Sequence, residues 1–300
     1  MSFSYESLAN PDRIRVTENG AWVATFTIGC YTVTLAGPAR SFSEKFRSDG
    51  ATHTVTVTHR TWVRAAPGPV DEHIDERWLA RALAANRAGT PDCLAIAMQY
   101  VKDAPPILLG DLQVAGDASY GPLLPNGKRD EGSDFNDYLG LRWLYPADDP
   151  DRPEPSQHRC LDCSGYMRMV WGYRHQLPDS GYPGTIPLSR RPQFNTTLPR
   201  RAVELYEGGT GIILIEDVGT KPTDLDILDT GDLLFFDAES DDGPRLDHVG
   251  MYLGTDTSGA RRFISSRKTA NGPTLADAGG RSILNGTGTY ARRFRAARRL

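Results

Sequence analysis

The stretch Arg159-Cys160-Leu161-Asp162-Cys163-Ser164-Gly165-Tyr166 concentrates the reactive chemistry of this chain. Asp162 is an oxygen acceptor just ahead of a helical pattern, a good N-cap. Cys163 then falls in the first turn. Behind it Tyr166, Val170 and Tyr173 recur at helical spacing, and Met167 and Trp171 widen the apolar stripe. Such a helix packs along its length and presents its Cys163 end. Unpaired backbone N–H groups and the positive end of the helix dipole favour a thiolate there, and the thiolate is the nucleophile. Gly165 leaves room beside the sulfur for another backbone. Cys160 and Cys163 also form a C-x-x-C, which leaves open a redox pair, half a zinc site or a regulatory disulfide that would silence the nucleophile. A zinc site wants a second close pair, and Cys30 and Cys93 are solitary in sequence.

A nucleophile needs a base. Gly231-Asp232-Leu233-Leu234-Phe235-Phe236 and His248-Val249-Gly250-Met251-Tyr252-Leu253-Gly254 both read as strands, rich in β-formers and bounded by Gly and Asp. His248 opens the second, and the other histidines, His53, His59, His73, His158 and His175, lack such a setting. His175 stands at the far end of the cysteine helix, where a cation suits the dipole. Thr255 to Gly259 closes a hairpin into Arg262-Phe263-Ile264-Ser265-Ser266. Side chains alternate along a strand, so His248, Gly250 and Tyr252 share one face.

Asp-Cys-Ser-Gly-Tyr, Gly-Asp-Leu-Leu-Phe-Phe and His-Val-Gly-Met-Tyr-Leu-Gly, in this order and spacing, resemble the NlpC/P60 papain-like cysteine peptidases over roughly residues 72–300. The resemblance implies an α+β fold in which the cysteine helix packs on a small antiparallel sheet carrying the histidine. It implies Cys163 as nucleophile and His248 as base, with Asp162 and Ser164 beside them as oxyanion or substrate-positioning residues. It also implies a polar residue on the next strand that orients the imidazole. Ser265 occupies that slot, with Asn271 and Asp277 as alternatives. A tyrosine upstream of the cysteine is implied beside the site, Tyr145 first and Tyr138 second. The implied substrate is a peptidoglycan stem peptide, cut between D-γ-glutamyl and a diamino acid, with no metal or organic cofactor. An amidase or acyltransferase acting on another substrate, or a degenerate wall-binding module, are the alternatives.

The rest of the chain must position these residues. Length and composition, 300 residues with 39% hydrophobic and 24% charged, fit a globular chain of one large or two modest domains. A net charge of −4 argues against a dedicated nucleic-acid binder. No apolar run reaches a membrane span. The N-terminus shows no signal peptide, so a cytoplasmic location stands beside the extracellular or cell-wall one that the resemblance implies.

Residues 1–70 read as a small all-β domain or extension. Glu18-Asn19-Gly20 joins two β-rich runs as a hairpin, and Pro67-Gly68-Pro69 reads as a linker. Residues 71–300 then form the catalytic domain. Ile74, Trp78, Ala82 and Leu83 mark a helix ending near Gly89, and Thr90-Pro91-Asp92 starts another. Gly110 to Gly140 reads as a long ordered loop over the site. Pro146 to Ser156 is an acidic, proline-rich loop, and Pro178 to Pro199 is a proline-rich connection. The basic end, Tyr290 to Leu300, reads as a solvated strand or tail.

Overall fold

The computed structural model describes residues 2–146, 149–177, 186–239 and 243–300; parts of the two proline-rich connections lie outside these. The first 65 residues make a five-stranded antiparallel sheet in chain order: β1 (Phe3–Leu8), β2 (Arg13–Glu18), β3 (Ala21–Thr27), β4 (Thr32–Ser48) and β5 (Ala51–Ala65). The β2–β3 turn places Asn19 and Gly20 at φ of 52° and 78°, as a two-residue hairpin turn with both residues left-handed requires. Val16, Phe26, Val33, Leu35 and Trp62 face helix α1 (Glu76–Arg87), which buries Trp78, Leu79, Ala82 and Leu83 against them. Asp75 caps α1 by accepting the N–H groups of Arg77 and Trp78.

The other face of the long β4–β5 hairpin belongs to the main core. Tyr31, Phe42, Val55 and Val63 pack in the same cluster as Cys163, Trp171 and helix α2 (Cys93–Met98). Polar ties cross the same seam. Arg40 pairs with the α2 N-cap Asp92, whose Oδ2 also accepts Val63 N–H at 2.6 Å. Glu44 accepts from Thr274 Oγ1 and Leu275 N, both at 2.8 Å. Thr32 N–H donates to the Leu300 carbonyl at 2.7 Å. The proline-glycine linker thus separates two stretches of sequence that share one apolar core.

A short hairpin, β6 (Ile107–Leu109) and β7 (Leu112–Ala115), and helix α3 (Phe135–Leu139) lie within or beside the segment expected as a long loop. Helix α4 (Cys163–Arg168) follows. It does not run on regularly to His175: a π-type turn occupies Met169–Tyr173 and a tighter 3₁₀ turn Arg174–Gln176. The expected stripe is buried all the same, because Tyr166, Met167, Val170 and Trp171 have no exposure and the segment runs through the core.

Helix α5 (Ala202–Gly208) and strand β8 (Ile212–Ile215) lead into the second sheet. Its order is β12 (Gly272–Thr274), β11 (Arg261–Arg267), β10 (His248–Thr255), β9 (Leu233–Phe236), β13 (Phe294–Arg299) and β8, with α6 (Thr289–Arg293) just before β13. The basic C-terminus is therefore an interior strand and not a solvated tail. Arg299 is buried and pairs with Asp232 at 2.7 Å, and Arg298 donates to the Gly209, Thr210 and Gly211 carbonyls. A charge run reads as surface until a partner carboxylate and spare carbonyls meet it inside.

Candidate active site

Cys163 opens α4 as expected, and Asp162 caps it with Oδ1 accepting Gly165 N–H at 2.7 Å. Gly165 is needed for a close approach. A side chain there would meet the Ser133 carbonyl oxygen at 2.2 Å, so it is the Ser133 backbone that uses the space. Asp162 also accepts Gly132 N–H, Ser164 Oγ–H and a two-pronged contact from Arg200, at 2.7 and 3.2 Å. Arg200 further donates to Ser164 Oγ at 2.8 Å and approaches Asp134 at 3.5 Å. The Arg200 charge and these donors hold the Asp162 carboxyl below its ordinary range despite burial. Ser164 and Asp162 thus form one polar knot with Arg200, a residue the sequence did not single out.

The sulfur of Cys163 touches strand β10. It donates to the Asp247 carbonyl at 3.8 Å, and the Val249 N–H points back at it. These are the neighbours of His248 on either side. Burial, with the nearby Asp162 charge, pushes the Cys163 thiol up well above its ordinary range. The resting sulfur is therefore a thiol, against the expectation from the helix N-terminus alone: desolvation outweighs the dipole.

His248 is buried, and its ring stands near Tyr290 and Phe236, with centroids 5.2 and 5.7 Å away. Val249, Met251 and Leu253 face α4, whereas Phe236, Tyr252 and Phe263 form the opposite cluster with Phe294. By alternation His248 belongs with that second face, as the period of two demands. Nε2 has no hydrogen-bond partner among the described residues, and Cys163 and His248 share no hydrogen bond. Burial first, then the Arg267 and Lys268 charges, push the His248 pKa down to about 3. Both members of the expected pair are neutral at rest.

The hairpin register places Ser265, the residue expected to orient His248. Met251 opposes Ile264 and Tyr252 opposes Phe263; continued toward His248, the register sets Gly250 opposite Ser265 and His248 opposite Arg267. A side chain on Gly250 would come within 3.0 Å of Ser265 Cβ, which agrees. Ser265 is thus diagonal to His248, and its hydroxyl accepts Arg267 Nε–H at 3.0 Å. Arg267 is the buried cation on the His248 side, stacked over Tyr290 at 4.4 Å. The two alternatives go elsewhere. Asn271 accepts Tyr120 N–H at 3.3 Å, and Asp277 pairs with Arg262 at 2.5 Å.

Two cavities meet here. One of about 310 Å³ is lined by Cys163, Asp162, Ser164, Arg200 and Tyr120; another of about 370 Å³ is lined by His248, Lys268 and Tyr290. Tyr120, Glu131, Glu239 and Asp247 line both. Tyr145, expected beside the cysteine, lies instead behind the knot. It accepts from Arg168 at 2.6 Å and donates to Asp134 at 3.5 Å, lining a third cavity. Tyr138 donates to the Gly116 carbonyl and is fully buried. Tyr120 lines the cysteine cavity, with its hydroxyl donating to Glu131 at 3.0 Å. The signal for it was position alone, since it lies in the segment expected to cover the site.

All four cysteines are reduced, Cys160 included, and no metal-binding cluster occurs among the described residues. Cys93, away from this site, makes a buried contact with a histidine, its Sγ 3.0 Å from His175 Nε2. Burial brings the His175 pKa down to about 4, so it is not the dipole-stabilised cation expected at the helix end. Among the described residues no helix is long and apolar enough to cross a membrane.

No curated protein sequence matches the chain. Among solved structures, an NlpC/P60 family protein from Bacillus cereus ATCC 10987 is similar at 12% identity, covering 99% of this chain and 78% of that one, with a TM-score of 0.29. The NlpC/P60 family model matches residues 154–274, a narrower span than the motifs first implied. At family level this suggests a cysteine peptidase or amidase acting on cell-wall peptides. The cysteine helix, the histidine strand and the strand after it all lie inside residues 154–274, the stretch that matches the NlpC/P60 family.

Proposed function

We propose that the chain is a cysteine peptidase or amidase that cleaves an amide in peptidoglycan stem peptides, at the bond between D-γ-glutamyl and a diamino acid. One observation carries the reading: the Cys163 sulfur, at the N-terminus of a buried helix, rests against the backbone on both sides of His248 at the floor of a polar cavity.

In this reading Cys163 attacks the amide carbonyl and His248 takes its proton. Both groups are neutral at rest, so the proton moves during attack and not before it. The imidazole must also close on the sulfur, since catalytic contacts are often loose before substrate binds. The Cys163 backbone N–H and the Tyr120 hydroxyl stabilise the oxyanion. His248 then protonates the leaving amine, and water hydrolyses the thioester. Ser265 acts on His248 only through Arg267. No cofactor enters these steps. Cell-wall peptides would place the working enzyme outside the cytoplasm.

Digestion of purified muropeptides, read by mass spectrometry, tests the reading. Wild type should release the diamino acid fragment and Cys163→Ala should not. Equal turnover by both would sink it.

A further inference from the structure

An imidazole that serves as a base must be held at a fixed angle. His248 Nε2 has no hydrogen-bond partner among the described residues, and the Ser265 hydroxyl accepts from Arg267 instead. The carboxylates around the ring are engaged as well. Lys268 pairs with Glu131 at 2.5 Å and with Glu239, and Asp247 accepts the Ala238 and Glu239 N–H groups at 2.9 and 2.7 Å. Orientation of the ring then falls to packing.

That packing has a definite geometry. Tyr290 and Phe236 lie against the imidazole and against each other, the two side chains with centroids 5.5 Å apart and planes at 82°. Phe263 completes the group, 5.6 Å from Tyr290 and 5.0 Å from Phe236. Edge-on and tilted contacts of this kind fix the angles between rings as well as their separation. Arg267 closes the cage, with its guanidinium over Tyr290 and 5.0 Å from the Phe263 centroid. That cation is itself fixed, because it donates to Ser265 Oγ and, at 2.7 Å, to the Gly280 carbonyl. Gly280 also backs the Tyr290 ring: a side chain there would meet Tyr290 Cε2 at 2.9 Å. Phe236, Phe263 and Arg267 are buried, whereas Tyr290 keeps part of its surface and lines the His248 cavity. It stands on α6, beyond residue 274 where the family match ends.

Resting on the acyl-transfer reading above, we propose that Tyr290 is a positioning residue for His248: its ring, pinned by Arg267 and Gly280, sets the angle at which the imidazole meets Cys163. The test uses the full-length protein with Tyr290→Phe, which keeps the ring, and with Tyr290→Leu and Tyr290→Met, which keep apolar volume without it. On muropeptides Tyr290→Phe should hold kcat within about twofold, while the Leu and Met variants lower it about tenfold to a hundredfold with KM little changed, the mark of lost alignment. Thermal midpoints should hold. The second readout is the His248 imidazole signal in the Cys163→Ala background, followed by NMR against pH and assigned by its loss in His248→Gln. Opening the cage with Leu or Met admits water, so the His248 titration should move from about 3 back toward the ordinary range, and Tyr290→Phe should leave it in place. Wild-type turnover in the Leu and Met variants overturns the proposal, as does a loss in Tyr290→Phe as large as theirs. Loss of the fold in both ringless variants overturns it too, since Tyr290 would then be a core residue. If wild type cuts no muropeptide, the acyl-transfer reading fails by itself, and the titration still decides whether Tyr290 holds the ring: an unmoved His248 signal in the Leu and Met variants overturns that.

Discussion

The Cys163 sulfur lies 3.8 Å from the carbonyl oxygen of Asp247, and the next residue along that strand is His248. The Cys163 sulfur is thus held by the backbone beside His248, and burial favours its thiol form. Alkylation by iodoacetamide should consequently rise about tenfold per pH unit from pH 6 to 9, following the small thiolate fraction of a group titrating above that range. A plateau with an inflection near pH 4–5 would instead reveal a preformed thiolate–imidazolium pair.

Asp162 is cap, knot and neighbour of the sulfur at once. Replacing it with Ala removes an N-cap worth about 1 kcal/mol. The change also leaves Arg200 with its 3.5 Å approach to Asp134 as its ion pair, beside the 2.8 Å hydrogen bond to Ser164 Oγ. Since breaking a buried pair costs about 3–5 kcal/mol, the expected total loss is at least about 3 kcal/mol in urea unfolding. Asp162→Asn keeps an acceptor for Gly165 N–H and should lose less. Equal losses for Ala and Asn would show that the cap, and not the Arg200 pair, dominates.

Turnover should separate the two candidate tyrosines and the serine. Tyr120→Phe is expected to lower kcat by about tenfold to a hundredfold as an oxyanion donor is lost, with little change in stability. Tyr145→Phe removes a hydrogen bond from Arg168 away from the sulfur, so it should show in unfolding before it shows in kcat. Ser265→Ala should cost tenfold or less, about 1 kcal/mol for one neutral contact. If Tyr145→Phe halts turnover in a stable protein while Tyr120→Phe does not, the assignment reverses.

Acid should weaken the fold through two neutral histidines. His248 and His175 have pKa values brought down to about 3 and about 4, from an ordinary 6.5. Below pH 6.5 the unfolded chain takes up protons that the folded chain refuses, so stability falls as pH drops from 6.5 toward 4. Asp137, raised to about 6, acts in the opposite sense with Glu44 and Asp232, both raised by burial, but desolvation also lowers His59 and His158, so four histidines stand against three carboxylates. The urea midpoint at pH 5 should be lower than at pH 7; an equal or higher midpoint would contradict the burial of both rings.

Removing residues 1–69 should not leave a healthy catalytic unit, although the linker and the change of period suggest one. The cut would strip Val55 and Val63 from the core that holds Cys163, and would leave Asp92 buried without Arg40. A soluble truncated chain with a cooperative thermal transition would show that the first sheet is dispensable.

Sequence alone determined what is local. The Asp162 cap, the cysteine in the first turn, the strands at 231–236 and 248–254, the hairpin after them and the sharing of one face by His248 and Tyr252 follow from capping chemistry and period, which act within a few residues. Tertiary structure decided what depends on distant partners. Arg200 meets Asp162 from 38 residues away, and Tyr120 comes to line the cysteine cavity from a segment without a clear period. The hairpin register, continued from Met251 opposite Ile264 toward His248, puts Arg267 and not Ser265 across from it. The charge state of the pair was decided there too. A helix N-terminus favours a thiolate by an amount readable from the sequence, but the opposing cost of desolvation depends on how deeply the sulfur and ring are buried, and only packing sets that depth.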